Sequence, residues 1–270
     1  MLGRVARLPP PAVASCLLMA SCLRLVPTAK YSVWCLEEQR ALPSAGETLR
    51  GVTVVKAFAL PNAAGKMLVV SRGSVVDFEG DAIVNAANSG CLGGGGVDGA
   101  ITAKGGPAMA AERRALPIIE GTRMDRCATG DAKMTTGGGL LAKKCIHAVG
   151  PNYLVFNGLG KDLEDADRLL TSAYRSAVRV AQDSGEVRTL GFSLLSAGIF
   201  RGPRPLASVL ELGVRGVVDE LAGNKRETAL VEEVHLVAFT EDECAALVEV
   251  ADRVFKECSS SDAGSGTGVQ

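Results

Sequence analysis

Histidine is nearly absent from this chain: His147 and His235 are the only two among 270 residues. Two imidazoles so far apart argue against a zinc centre, which draws on clustered His and Cys ligands. The eight cysteines do not make good the shortage, because they are scattered and form no C-x-x-C pair. In a chain of this size such cysteines read as reduced, partly buried thiols and not as a disulfide framework. Excess charge is missing as well. A net charge of −1 removes the usual electrostatic argument for non-specific binding to nucleic acid. The apolar run Ala12–Leu23 is short of the ~20 residues needed to cross a bilayer, so no membrane partner is expected.

Acidic residues are absent from positions 1–36, which carry Arg4, Arg7, Arg24 and Lys30. That character fits a mitochondrial presequence, and the apolar run also fits a secretory h-region, although Pro9, Pro10 and Pro11 oppose one clean amphipathic helix. Residues 1–50 are therefore expected to form an extension with a mitochondrial address, the alternative being a protein of the cytoplasm or nucleus with no address. Residues 51–258 read as one domain acting as a monomer, and 259–270 as a Ser/Gly-rich disordered tail.

Apolar material is plentiful, at 47% of the chain, enough for a sizeable core. Val52–Ala59 and Lys66–Ser71 read as strands of a hairpin turned by Pro61–Gly65. Helices follow at Val97–Lys104 and Ala108–Leu116, split by Gly105-Gly106-Pro107. Lys143–Val149 reads as a strand. Asp162–Ser184 is a long amphipathic helix with Gly185 at its stop. Thr189–Leu195 has the near-continuous apolar pattern of a strand covered on both faces. A helix over Pro205–Leu221, a strand over Val234–Phe239 and a helix over Glu241–Phe255 complete the order. Alternating strands and helices predict α/β layers around a mostly parallel sheet, with ligands outside the carboxyl ends of the strands.

Two loops fall at such ends. The first follows the apolar run from Asp81 to Val84: Asn85 and Asn88 supply amides, then Gly93, Gly94, Gly95 and Gly96 lead into Val97-Asp98-Gly99. Strand, glycine-rich turn and helix start make a cradle for an anion, above all phosphate, because backbone N–H groups can approach and the helix dipole favours negative charge. The second loop, Ser196-Ala197-Gly198-Ile199-Phe200-Arg201-Gly202, repeats that logic, so the two can clasp a diphosphate from both sides. The glycines also satisfy G-x-G-x-x-G, yet Glu112 and Glu120 do not end a second strand as the dinucleotide fingerprint requires. No G-K-[ST] follows them, which argues against a P-loop NTPase.

The sequence resembles the macro domain family, most closely its MacroD-type ADP-ribosyl hydrolases. The resemblance covers about residues 66–257. It rests on Asp81-Ala-Ile-Val-Asn-Ala-Ala-Asn88, on Leu92 with the four glycines and Val97-Asp98-Gly99, and on Gly105-Gly106-Pro107. It continues through Thr129-Gly130-Asp131-Ala132, Cys145-Ile-His-Ala-Val-Gly-Pro151 and Ser196-Ala-Gly-Ile-Phe200. It implies a three-layer α/β/α sandwich with a mixed, mostly parallel central sheet, which binds ADP-ribose without cofactor or metal. It further implies hydrolysis of mono-ADP-ribosyl esters on acidic side chains of proteins, and of O-acetyl-ADP-ribose.

By the same resemblance Asn88 meets the distal ribose and Asn85 holds the adjoining loop. Gly94, Gly95, Gly96 and Val97 give donors to one side of the diphosphate, and Ser196, Ala197, Gly198, Ile199 and Phe200 line the other. Phe239 stacks on adenine, and Asp98, with Asn88, carries the hydrolysis. Plain core packing is the alternative for Phe239, and helix-start capping the alternative for Asp98. The chain departs from the family at three places. Ser74 stands where an Asp commonly binds the adenine amino group, with Asp77 the other candidate. Thr102 replaces a frequent His four residues after Asp98. Ala197 replaces a usual Thr, and Arg201 adds a charge within reach of a phosphate. His147 reads as core, and Cys91 as an ordinary thiol beside the glycines. Two functions remain open: a hydrolase of ADP-ribosyl esters, and a reader that binds ADP-ribose without turnover.

Overall fold

The computed structural model describes residues 41–61, 63–223 and 230–263. The presequence and mitochondrial address expected of residues 1–36 lie outside these residues. The sheet has eight strands: β1 (Thr48–Leu49), β2 (Val52–Ala59), β3 (Met67–Arg72), β4 (Ala82–Ala86), β5 (Ala132–Thr136), β6 (Lys144–Ala148), β7 (Thr189–Ser193) and β8 (Glu233–Ala238). Their order is β1-β2-β3-β8-β7-β4-β6-β5. The run from β3 to β6 is parallel, while β1, β2 and β5 pair antiparallel at the edges. This is the mixed, mostly parallel sheet of the expected sandwich, and the expected β2–β3 hairpin forms.

The helices are α1 (Gly96–Ala115), α2 (Tyr153–Gly158), α3 (Leu163–Asp183), α4 (Leu206–Gly223) and α5 (Glu241–Ala263). On one face, α3, α4 and α5 bury an apolar core against Leu68, Val70, Val84, Ile146, Phe192 and Leu236. The other face, under α1, mixes Phe78, Ile83, Ile101 and Met109 with buried polar residues, among them Ser71, Asn85, His147 and His235. α3 starts where Asp162 accepts from Glu164 N (2.9 Å) and stops before Gly185 (φ 65°), as its sequence dictates. The break foreseen at Gly105-Gly106-Pro107 is a kink in α1, with Gly106 at φ 67° and ψ −159°.

Two boundaries differ from expectation. The domain begins before residue 51: Gly46 N donates to Val54 O (2.8 Å), β1 pairs with β2, and Arg50 Nε donates to the fully buried Glu233 (2.5 Å). Burial would raise the Glu233 carboxyl, but bonds to His235 and Arg50 more than offset it and bring it down to about 2. Residues 46–50 therefore belong to the domain and not to an extension. At the other end α5 runs to Ala263, five residues into the expected tail. There Ser259 and Ser260 turn their hydroxyls onto the helix itself, donating to Phe255 O and Glu257 O.

Candidate functional site

β8, β7 and β4 are parallel neighbours, so the loops after their carboxyl ends meet at one sheet edge. After β4, Asn88 donates Nδ2 to Gly93 O (2.9 Å) and ties the glycine turn to the strand end. A Cβ on Gly94 would sit 3.0 Å from Asp98 Oδ2 and 3.2 Å from Asn88 Nδ2, so any larger residue there would press on both side chains. Gly96 opens α1 at φ 59°, which also favours glycine. Gly95, the N-cap, brings no side chain to the first N–H groups of α1, which stay available to an anion.

Asp98 is 3% exposed and sits in the first turn of α1. Its Oδ1 accepts from Asn85 Nδ2 (2.8 Å), Arg113 Nη2 (2.9 Å) and, at longer range, Thr102 Oγ1 (3.4 Å), and no helix N–H is among its partners. Capping therefore does not explain this carboxylate. Its Oδ2 is buried without a partner and lies on the side of Gly94. Asn85 also donates Nδ2 to His147 Nδ1 (3.1 Å), and His147 Nε2 meets Thr135 Oγ1 (2.9 Å). Thr135 spends its proton on Thr136 O (3.0 Å), so the chain of bonds runs from His147 Nε2–H outward and leaves Nδ1 as the acceptor. Burial, helped by the charge of Arg113, pushes His147 down to about 3, and the ring is neutral. His147 is core, as read from sequence, yet it also holds Asn85 in place.

The second loop is anchored differently. Tyr174 of α3 accepts from Leu195 N (2.9 Å), and Ser196, at φ 53°, donates Oγ to Pro151 O (2.8 Å). A Cβ on Gly213 would lie 2.7 Å from the Tyr174 ring, so that glycine lets α4 approach the anchor. Ala197 is buried, Phe200 half-buried and Ile199 82% exposed. Arg201 does not reach towards a phosphate: Nε and Nη1 donate to Ala197 O (3.2 Å) and Arg204 O (3.1 Å), folding it back on its own loop. Cys91 is buried against Cys127 and offers no exposed thiol.

Between the loops lies a cavity of about 370 Å3. Of the residues expected at the site, Ser74, Gly96, Val97, Gly198 and Phe239 line it. Asn85, Asn88, Gly94, Gly95, Asp98, Ser196, Ala197, Ile199 and Phe200 are not among its lining and stand in the two flanking loops and the layer beneath. Asp77 is exposed and does not line it, whereas Ser74 does, its Oγ accepting from Val76 N (3.3 Å). Phe239 is 76% exposed, which removes the core-packing alternative. Glu243 also lines the cavity, its Oε2 accepting from Phe239 N and Thr240 N (3.0 Å each). The spacing Thr240-x-x-Glu243 is a capping box that announces this Glu at the start of α5. Arg113 had no such signal.

A macro domain family model matches residues 84–209. A macro domain-containing protein of Cupriavidus necator is 41% identical over 178 residues, 66% of this chain and 93% of that protein. A Pantoea vagans protein called O-acetyl-ADP-ribose deacetylase 1 is 37% identical over 174 residues, 64% of this chain and 92% of its own length. Among solved structures, a Trypanosoma brucei macrodomain in complex with ADP-ribose superposes with a TM-score of 0.55 at 31% identity, covering 67% of this chain and 68% of that one. With this fold, these two loops and relatives matched over nearly their whole length, the chain belongs to the macro domain family.

Proposed function

We propose that the chain binds ADP-ribose across the two loops and hydrolyses its esters: O-acetyl-ADP-ribose and mono-ADP-ribosyl esters on acidic side chains of proteins. The observation that carries this reading is the Oδ2 of Asp98, buried, unpartnered and turned towards Gly94 at the helix start. The uncapped N–H groups of α1 suit the diphosphate, and Phe239, on the cavity rim, suits adenine. A pyrophosphate so held sets the distal ribose beside Asn88. Asp98 Oδ2 then orients a water and accepts its proton as the water attacks the anomeric carbon or the ester carbonyl. Positioning and electrostatics do most of this work, since a carboxylate is a weak base. The Pantoea vagans relative's name and the ligand in the Trypanosoma brucei structure support the substrate class.

The experiment is direct. The protein is incubated with O-acetyl-ADP-ribose, and separately with a target mono-ADP-ribosylated on Glu or Asp. Free ADP-ribose is the expected product of both. Tight ADP-ribose binding with neither substrate turned over would reduce the chain to a reader.

A further inference from the structure

Arg113 is the largest side chain that the described residues bury completely, at 1% exposed. A guanidinium taken out of water must be paired and hydrogen-bonded. Its three contacts belong to three parts of the site. Nε donates to Cys91 O, in the turn before the glycines; Nη1 donates to Thr102 Oγ1 (2.8 Å); Nη2 donates to Asp98 Oδ1 (2.9 Å). Thr102 in turn donates to Asp98 O (2.6 Å), so the hydroxyl is held from both sides.

The consequence falls on the two oxygens of Asp98. Oδ1 takes Asn85 and Arg113, with Thr102 Oγ1 a longer third contact (3.4 Å), while Oδ2 takes nothing and lies on the side of Gly94. Rotating the carboxylate plane away from this orientation would break two charge-assisted bonds in a buried place. We propose that Arg113, oriented by Thr102, is the positioning residue for Asp98: it pins Oδ1 and so fixes Oδ2 as the oxygen offered to water at the first loop. This rests on the hydrolase reading. The same guanidinium fixes the turn at Cys91 O, so carboxylate and glycine loop share one reference point. A merely structural Arg113 would stitch α1 to the turn and act independently of Asp98.

A double-variant cycle separates the two. Turnover of O-acetyl-ADP-ribose and calorimetric affinity for ADP-ribose are measured for wild type, Arg113→Lys, Asp98→Ala and the double variant. Lysine keeps the charge but cannot reach all three acceptors in the guanidinium geometry. Arg113→Lys should lower kcat by about 10²-fold, the scale of an ångström-sized misplacement, with affinity close to wild type. On the Asp98→Ala background it should cost nothing further. Losses that multiply, an equal fall in affinity and kcat, or an unchanged kcat would each overturn the assignment. Thr102→Val, a milder change expected to act in the same direction, carries the same cycle should Arg113→Lys not fold. Wild-type protein without turnover would overturn the hydrolase reading and this assignment with it; wild-type turnover with an unaltered Arg113→Lys overturns this assignment alone.

Discussion

At the Asp98 end of the site, Asn85, His147, Thr135, Thr102 and Arg113 answer one another with hydrogen bonds, and Asp98 Oδ2 and Asn85 Oδ1 are left over. At the Phe239 end the ring is 76% exposed, and Ser74 and Glu243 line an open cavity while each caps a local backbone turn. The first end is organised before any ligand arrives, so it offers fixed dipoles and no reorganisation, which is what catalysis rewards. The second is open, with Ser74 and Glu243 turned to their own backbone. Affinity can therefore be tuned at one end and chemistry lost at the other, and substitutions should separate the two.

The largest effect is expected where, on the proposed reading, the two ends share a diphosphate. Gly95 has a φ open to any residue and nothing within 4 Å of a Cβ, so Gly95→Glu should fold. Its carboxylate would repel the ligand, and calorimetry should detect no ADP-ribose binding. Retained affinity would take the first loop out of the anion site.

Acid should undo the Asp98 end. The folded-state value of His147, about 3, lies below its ordinary 6.5. Between the two, the unfolded chain binds the proton and the folded one does not, so stability falls as pH drops from 6.5 towards 3. The slope is up to about 1.4 kcal/mol per pH unit. Urea unfolding at pH 7 and pH 4.5 measures it, and His147→Gln should flatten it. An unchanged slope in that variant would assign the acid sensitivity elsewhere.

Smaller effects belong to the Phe239 end. Phe239→Ala should weaken ADP-ribose about tenfold, the scale of one base–aromatic stack, and leave kcat alone. A fall in kcat instead would mean that the two ends are not separable. Ser74→Asp keeps the cap and adds a charged acceptor, so affinity should rise a few-fold for ADP-ribose but not for its hypoxanthine analogue. Equal gains for both would show that Ser74 does not face the base edge.

How far the sequence disclosed these two ends follows the range of the forces involved. β2 was legible to the residue, and α3 to within one residue at each end, because alternation, periodicity and caps are local. The edge strand β5, Ala132–Thr136, carries no clean alternation, and α2 is six residues long, so neither has a period to read. Phe239 came from the family resemblance, whereas the glycine loops stood out through composition at strand ends. Arg113 did not, because it lies fifteen residues from Asp98, beyond the Gly106 kink, in the run Ala111-Glu112-Arg113-Arg114 that reads as a solvated helix face. Only the folded helix shows which of those charges turns inward.

Asp98→Ala tests the central claim most directly. On the proposed reading the wild-type carboxylate stands beside the diphosphate site, so removing it should leave ADP-ribose affinity unchanged or slightly improved, while turnover of O-acetyl-ADP-ribose falls by roughly 10²–10⁴-fold. Affinity and kcat measured on the same preparation decide it. Near-normal turnover in Asp98→Ala would contradict the account and return this carboxylate, with Arg113, to the scaffold.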